Sequence, residues 1–143
     1  MTTAATNYPA ALRRLLLLDA ATSGVMGVLL LAAGGLLAAP LGLPASLLRW
    51  TGVVLIPFAG YLARVATRPD LPPDAVRSII LVNVVWAVGT PLLLVSGWVR
   101  PTLLGELFVL IQAVVVAGLA YLEHRALPRN PAHPQPASPG ARR

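Results

Sequence analysis

Four long apolar runs, with nearly every charge confined to the short stretches between them, decide what this chain can fold into. They cover residues 12–39, 46–67, 75–98 and 102–126. At about 1.5 Å of rise per residue, each is long enough to cross a hydrocarbon core of about 30 Å as a helix. Within hydrocarbon a helix satisfies its own backbone N–H and C=O groups, whereas an open strand leaves a row of them bare. Composition agrees: 57% of the 143 residues are hydrophobic and 11% are charged, against roughly a quarter charged in a soluble domain. The pattern predicts an all-α fold, a bundle of four antiparallel transmembrane helices joined by short loops. A flexible lead over residues 1–11 precedes it, and a disordered, basic, proline-rich tail over 127–143 follows, with Pro128, Pro131, Pro134, Pro136 and Pro139 and no apolar periodicity.

The breaks between runs have local causes. Pro40, Gly42 and Pro44 end the first run, and the charged, proline-rich segment from Arg68 to Asp74 separates the second from the third. Asp74 is suited to cap the third helix, and Pro57 is expected to kink the second by removing one N–H donor. The first run exceeds the 7 to 15 apolar residues of a typical secretory signal, so it is expected to stay as a span.

All eleven basic residues are arginine, against five acidic ones. Arg13, Arg14, Arg64, Arg68, Arg77, Arg125, Arg129, Arg142 and Arg143 fall on one side of the four-span topology, and Arg49 and Arg100 on the other. The positive-inside rule then places both termini in the cytoplasm, with the arginines facing anionic headgroups of an inner membrane. Trp50 and Trp98 fit the outer interface, and Tyr8, Tyr61 and Tyr121 the inner one. Because the basic residues sit at helix ends, the high pI argues for lipid rather than nucleic acid as the charged partner.

Several chemistries are excluded. Without cysteine there is no disulfide, thiolate metal site or cysteine nucleophile. The two histidines, His124 and His133, lie at or beyond the end of the last run, so no haem is held between histidines at membrane depth. No phosphate-binding glycine loop, zinc motif or nucleophile elbow is present, and no cofactor is expected.

Polar residues inside the runs are the functional clue, since they are costly in hydrocarbon and turn toward a partner or water. Asp19, Asn83, Trp86 and Gln112 form the candidate intramembrane site. Asp19 reads either as a protonatable cation site or as an interfacial carboxylate paired with Arg14 or Arg77. Asn83 and Gln112 read either as interhelical glue or as groups facing a ligand. Glu106, one turn into the fourth run, is expected to pair with Arg49 or Arg100 at the outer interface, favoured there by the helix dipole. Glu123, beside His124 and Arg125, is expected to sit in solvated headgroups. Asp70, Asp74, Glu123 and His124 make up the one cluster an enzyme reading has to work with. Small residues spaced by four, Ala20 with Gly24, Ser23 with Gly27, Ala59 with Ala63 and Ala113 with Ala117, let backbones approach. A faint repeat relates Gly60-Tyr61-Leu62-Ala63-Arg64 to Ala120-Tyr121-Leu122-Glu123-His124, with Asp19 and Asn83 at comparable depths.

Leu18-Asp19-Ala20, Gly42-Leu43-Pro44, Leu48-Arg49, Val76-Arg77, Asn83 with Trp86, Gly97-Trp98, Pro101-Thr102, and Phe108-Val109 with Gln112-Ala113 together resemble a group of small bacterial four-span integral membrane proteins. The resemblance covers about residues 15 to 125 and implies the same fold, with no activity or site residues to carry over. The reading that follows is a non-catalytic scaffold or interaction subunit of the inner membrane, acting as a homo-oligomer or with another membrane protein. The alternative is a small transporter or channel whose polar path is lined by Asp19, Asn83 and Gln112.

Overall fold

The computed structural model describes residues 10–127, and the proline-rich tail and most of the N-terminal lead lie outside them. Among the described residues are four helices and no strand: α1 (Ala10–Leu41), α2 (Ala45–Thr67), α3 (Pro73–Val95) and α4 (Leu103–Ala126). All four are long and apolar enough to cross a membrane. Large apolar side chains such as Val25, Leu36, Val95 and Val114 stand outward on their surfaces, an arrangement suited to lipid.

The helix ends follow from local chemistry and in places differ from the expected ones. Helix α1 continues through Pro40 to Leu41, because a proline in the last turn forfeits one N–H without stopping the ladder. Its stop is Gly42, at φ +63°, in a Schellman turn: Gly42 N–H donates to Ala39 (3.2 Å) and Leu43 N–H to Ala38 (3.1 Å). Helix α3 begins with Pro73 at its first position and Pro72 as its N-cap, not with Asp74 as the cap. Proline suits that first position because its missing N–H has no intrahelical partner there. Asp74 lies instead within the first turn, beside the positive end of the dipole. The third helix also ends at Val95, three residues short of Trp98. Pro57 and Pro91 stand inside α2 and α3 without ending them.

Helices α1 and α2 form the closest pair. Gly34 meets Leu48 and Arg49, Gly27 meets Leu55 and Ile56, and Gly24 meets Ala59. The backbones touch at Gly52, where an added Cβ would stand 2.6 Å from the Gly27 carbonyl oxygen and 2.7 Å from the Leu31 nitrogen. Helix α3 packs along α4, and α1 along α4, whereas α2 and α3 barely meet. This unequal packing, together with Leu62 being buried while its counterpart Leu122 is exposed, leaves the sequence repeat without a matching two-fold in the packing.

Two apolar clusters hold opposite ends. Leu12, Leu16, Leu62, Val65, Val76 and Ile79 pack at the end where α1 and α3 start, with Ala126 and Leu127 against them. Leu30, Leu41, Leu43, Leu48, Val99 and Val109 pack at the other. Each cluster is fastened by hydrogen bonds to helix termini. Arg13 donates to the carbonyls of Ala66 (2.8 Å), Arg68 (2.5 Å) and Pro69 (2.6 Å), capping the C-terminus of α2 with a cation where the dipole favours one. Thr102 works at the far end. Its hydroxyl accepts from Gly105 N–H (3.2 Å) as the α4 N-cap and donates to Pro40 O (2.6 Å), while its own N–H donates to Leu41 O (3.0 Å). Gly105 makes this possible, since a Cβ there would strike the Leu41 carbonyl.

The glycines predict a contrast that unfolding in detergent can measure. Gly52→Ala is expected to destabilise by about 1–3 kcal/mol, as overpacking does in a core. Gly60→Ala, with nothing within 4 Å of the new methyl group, is expected to be neutral or stabilising by up to about 1 kcal/mol through helix propensity. Equal effects at the two positions would refute the close backbone contact.

Candidate functional site

Asp19, Asn83 and Glu123 are the three polar side chains buried among the described residues, at 1%, 3% and 0% relative exposure. They come from α1, α3 and α4. The amide of Asn83 donates to one carboxylate oxygen of Asp19 at 2.7 Å, and the Ser23 hydroxyl, one turn further along α1, donates to the other at 3.2 Å. Both oxygens of Asp19 therefore act as acceptors. Helices α1 and α3 make no close backbone approach, so they meet through side chains, in this hydrogen bond and in the apolar cluster that holds Leu12, Leu16, Val76 and Ile79. A hydrogen bond to a charged group contributes about 1.5–3 kcal/mol in folded proteins, and interhelical polar bonds in membranes about 0.6–2 kcal/mol.

Glu123 completes the group. Counted from the hydrogen bond of Thr102 N–H to Leu41 O, Glu123 stands 21 residues on along α4 and Asp19 22 residues back along α1, so the two carboxyls share one depth, yet no described donor makes a hydrogen bond to either oxygen of Glu123. The expectation that it sits among solvated headgroups is corrected. The buried positions of α4 are Gly105, Val109, Ala113, Leu119, Ala120 and Glu123, which at about 100° per residue fall on one side of the helix, so that Glu123 faces inward with the rest. His124 and Arg125, the next two positions, turn outward. That stripe was present in the sequence.

The proposed partners of Asp19 are also corrected. Arg14 is exposed, and five residues along a helix place it well round from Asp19. Arg77 pairs with Asp74 at 3.5 Å, with both side chains exposed, and this is the one ion pair among the described residues.

Of the other polar candidates, Trp86 is half-buried one turn beyond Asn83, and its carbonyl accepts from Thr90 Oγ1 at 2.9 Å. Gln112 is half-buried and stands eleven residues before Glu123, about 16 Å along α4. The structure does not bring it to Asp19 and Asn83. At the other end, Glu106, Arg49 and Arg100 are all exposed and form no ion pair. Arg49 instead lays its guanidinium over Gly35. Asp70, Asp74 and His124 are exposed while Glu123 is buried, so the cluster considered for an enzyme is split between surface and interior. His124 and Tyr121 border an open apolar groove between α3 and α4, with Ile80, Val84 and Ala117 among its walls. Among the described residues no three metal-ligating side chains converge.

No protein family, curated protein or solved structure matches the chain.

The geometry makes Asn83 the residue on which this site turns. Asn83→Ala leaves the Asp19 carboxylate one donor short in a buried place, and the expected loss of stability is about 1–3 kcal/mol. Asp19→Leu combined with Asn83→Leu removes both partners, and the pair is expected to cost less than the sum of the two single changes. Thermal unfolding of the four proteins in one detergent measures the coupling, and strict additivity would contradict the hydrogen bond.

Proposed function

We propose that this chain is an antiparallel four-span protein of the bacterial inner membrane, with both termini cytoplasmic, acting as a scaffold or interaction subunit. The observation that carries this reading is the placement of the deep polar groups. Asp19 and Asn83 are hydrogen-bonded to each other across the interior, and Gln112 stands about three turns before Glu123 along α4. A polar path through the bundle would need these groups in one line, and no hydrogen bond joins Gln112 to Asp19 or Asn83 among the described residues. Side chains used to join helices are the commoner kind of intramembrane polar residue.

The topology rests on the arginine distribution, nine against two. Contacts between late α1 and early α2, and between the end of α1 and the start of α4, support opposed directions for neighbouring helices. Anionic headgroups are the lipid partner of the arginine-rich side. A second copy of the chain, or another membrane protein, is the protein partner, meeting the outward apolar faces. The small-transporter reading draws on one observation of its own, the buried Glu123 carboxyl without a hydrogen-bond donor.

The lack of cysteine makes every introduced cysteine a clean reporter. Single cysteines replacing Ser96 and Asp70, both exposed, are expected to react with a membrane-impermeant maleimide from the outside and the inside respectively. Cysteines replacing Asn83 and Gln112 are expected to stay unreactive from either side. Reaction at 83 and 112 together would mean that water reaches the interior, and the transporter reading would replace the scaffold. Reaction at 96 and 70 from one and the same side would overturn the topology.

A further inference from the structure

We propose that Glu123 and Asp19 form a proton-binding site, in which one exchangeable proton resides on the Glu123 carboxyl and is directed at the Asp19 carboxylate. The argument begins with which oxygens have donors. Asn83 and Ser23 each donate to Asp19, one to each carboxylate oxygen, and donors of this kind favour the ionised form. Glu123 has no described donor on either oxygen and is fully buried. Two carboxylates buried at one level of an apolar interior repel, and the usual resolution is that one of them keeps a proton. A proton on Glu123 removes one of the two negative charges. It also turns an oxygen without a partner into an O–H donor for which the Asp19 carboxylate is the nearby acceptor.

No cation among the described residues neutralises the pair instead. On α1, Arg13 is committed to the carbonyls at the end of α2, and Arg14 is exposed. On α2, Tyr61 and Arg64 are exposed; on α3, Asp74 and Arg77 pair with each other at the surface. On α4, His124 and Arg125 face outward, and Arg125 donates to the hydroxyl of Tyr121, also exposed, at 3.0 Å. Leu12, Leu16, Val76 and Ile79 pack at this end of the bundle, yet Glu123 is only about one turn from the end of α4. A small opening of that end lets a proton pass between the site and water, and changes the charge of the interior by one unit.

This inference does not depend on the interaction-subunit reading, since a proton site serves a scaffold or a transporter equally well. The test uses the full chain in phosphatidylcholine vesicles. The probe is dicyclohexylcarbodiimide, an apolar reagent that attacks protonated carboxyl groups, with the modified residue located by peptide mass mapping. The expected result is an adduct on Glu123 at neutral pH that disappears as the pH is raised. In Asp19→Asn the like charge is gone, and the loss of labelling is expected to move to lower pH. Glu123→Gln is expected to abolish the adduct, and should that variant fail to fold, the profile of the unaltered chain still decides. Absence of the adduct at neutral pH, or a profile that ignores Asp19→Asn, would overturn the proposal. Protection by sodium ions at constant pH would also overturn it, in favour of a metal cation between the same carboxyls.

Discussion

In hydrocarbon no water is available to a bare peptide group, and the rest of this structure depends on that constraint. Each apolar run becomes a helix because a helix pairs its own N–H and C=O groups. The groups a helix cannot pair, the donors of its first turn and the acceptors of its last, must then be met by something else. Here they are met by neighbouring elements: Arg13 of α1 closes the end of α2, and Thr102 joins the start of α4 to the carbonyls ending α1. The same hydrogen bonds that finish individual helices therefore fix how those helices stand together.

Packing supplies the second level. Between lipid-soluble helices there is little hydrophobic drive, so close van der Waals contact and polar bonds decide association. Gly27 and Gly52 bring the backbones of α1 and α2 together, and Gly105 lets α4 reach the end of α1. The α2 and α3 helices have no comparable contact. The link between the α1–α2 pair and the α3–α4 pair instead runs through α1 and α4, and through the Asn83–Asp19 hydrogen bond. Polar chemistry at the bundle interior and cohesion of the bundle are thus carried by the same residues.

Much of this was legible from residue order. The runs, their breaks at proline and glycine, and Asp19 and Asn83 as deep polar residues follow from spacing and polarity alone. Glu123 is harder to place from residue order, because its neighbours His124 and Arg125 suggest headgroups, although its spacing from Gly105, Val109, Ala113 and Ala120 sets it on the buried stripe. Depth alone puts Gln112 with Asn83, and depth says nothing about which face of a helix meets which neighbour. By position Arg13 is one more interfacial charge. Its use as a cap for another helix has no signature in the sequence, since donor and acceptors are more than fifty residues apart.

Residue order alone sets the number of helices and their approximate extents, because hydropathy and backbone satisfaction in lipid act locally along the chain. It also marked which polar residues lie at depth. Only the tertiary structure decided that Asp19, Asn83 and Glu123 share one buried place while Gln112, Glu106 and Arg49 do not. The reason is that rotation and pairing of helices are set by contacts between distant segments. In a chain apolar on nearly every face, the hydrophobic pattern leaves those rotations open, and a few glycines and hydrogen bonds select among them.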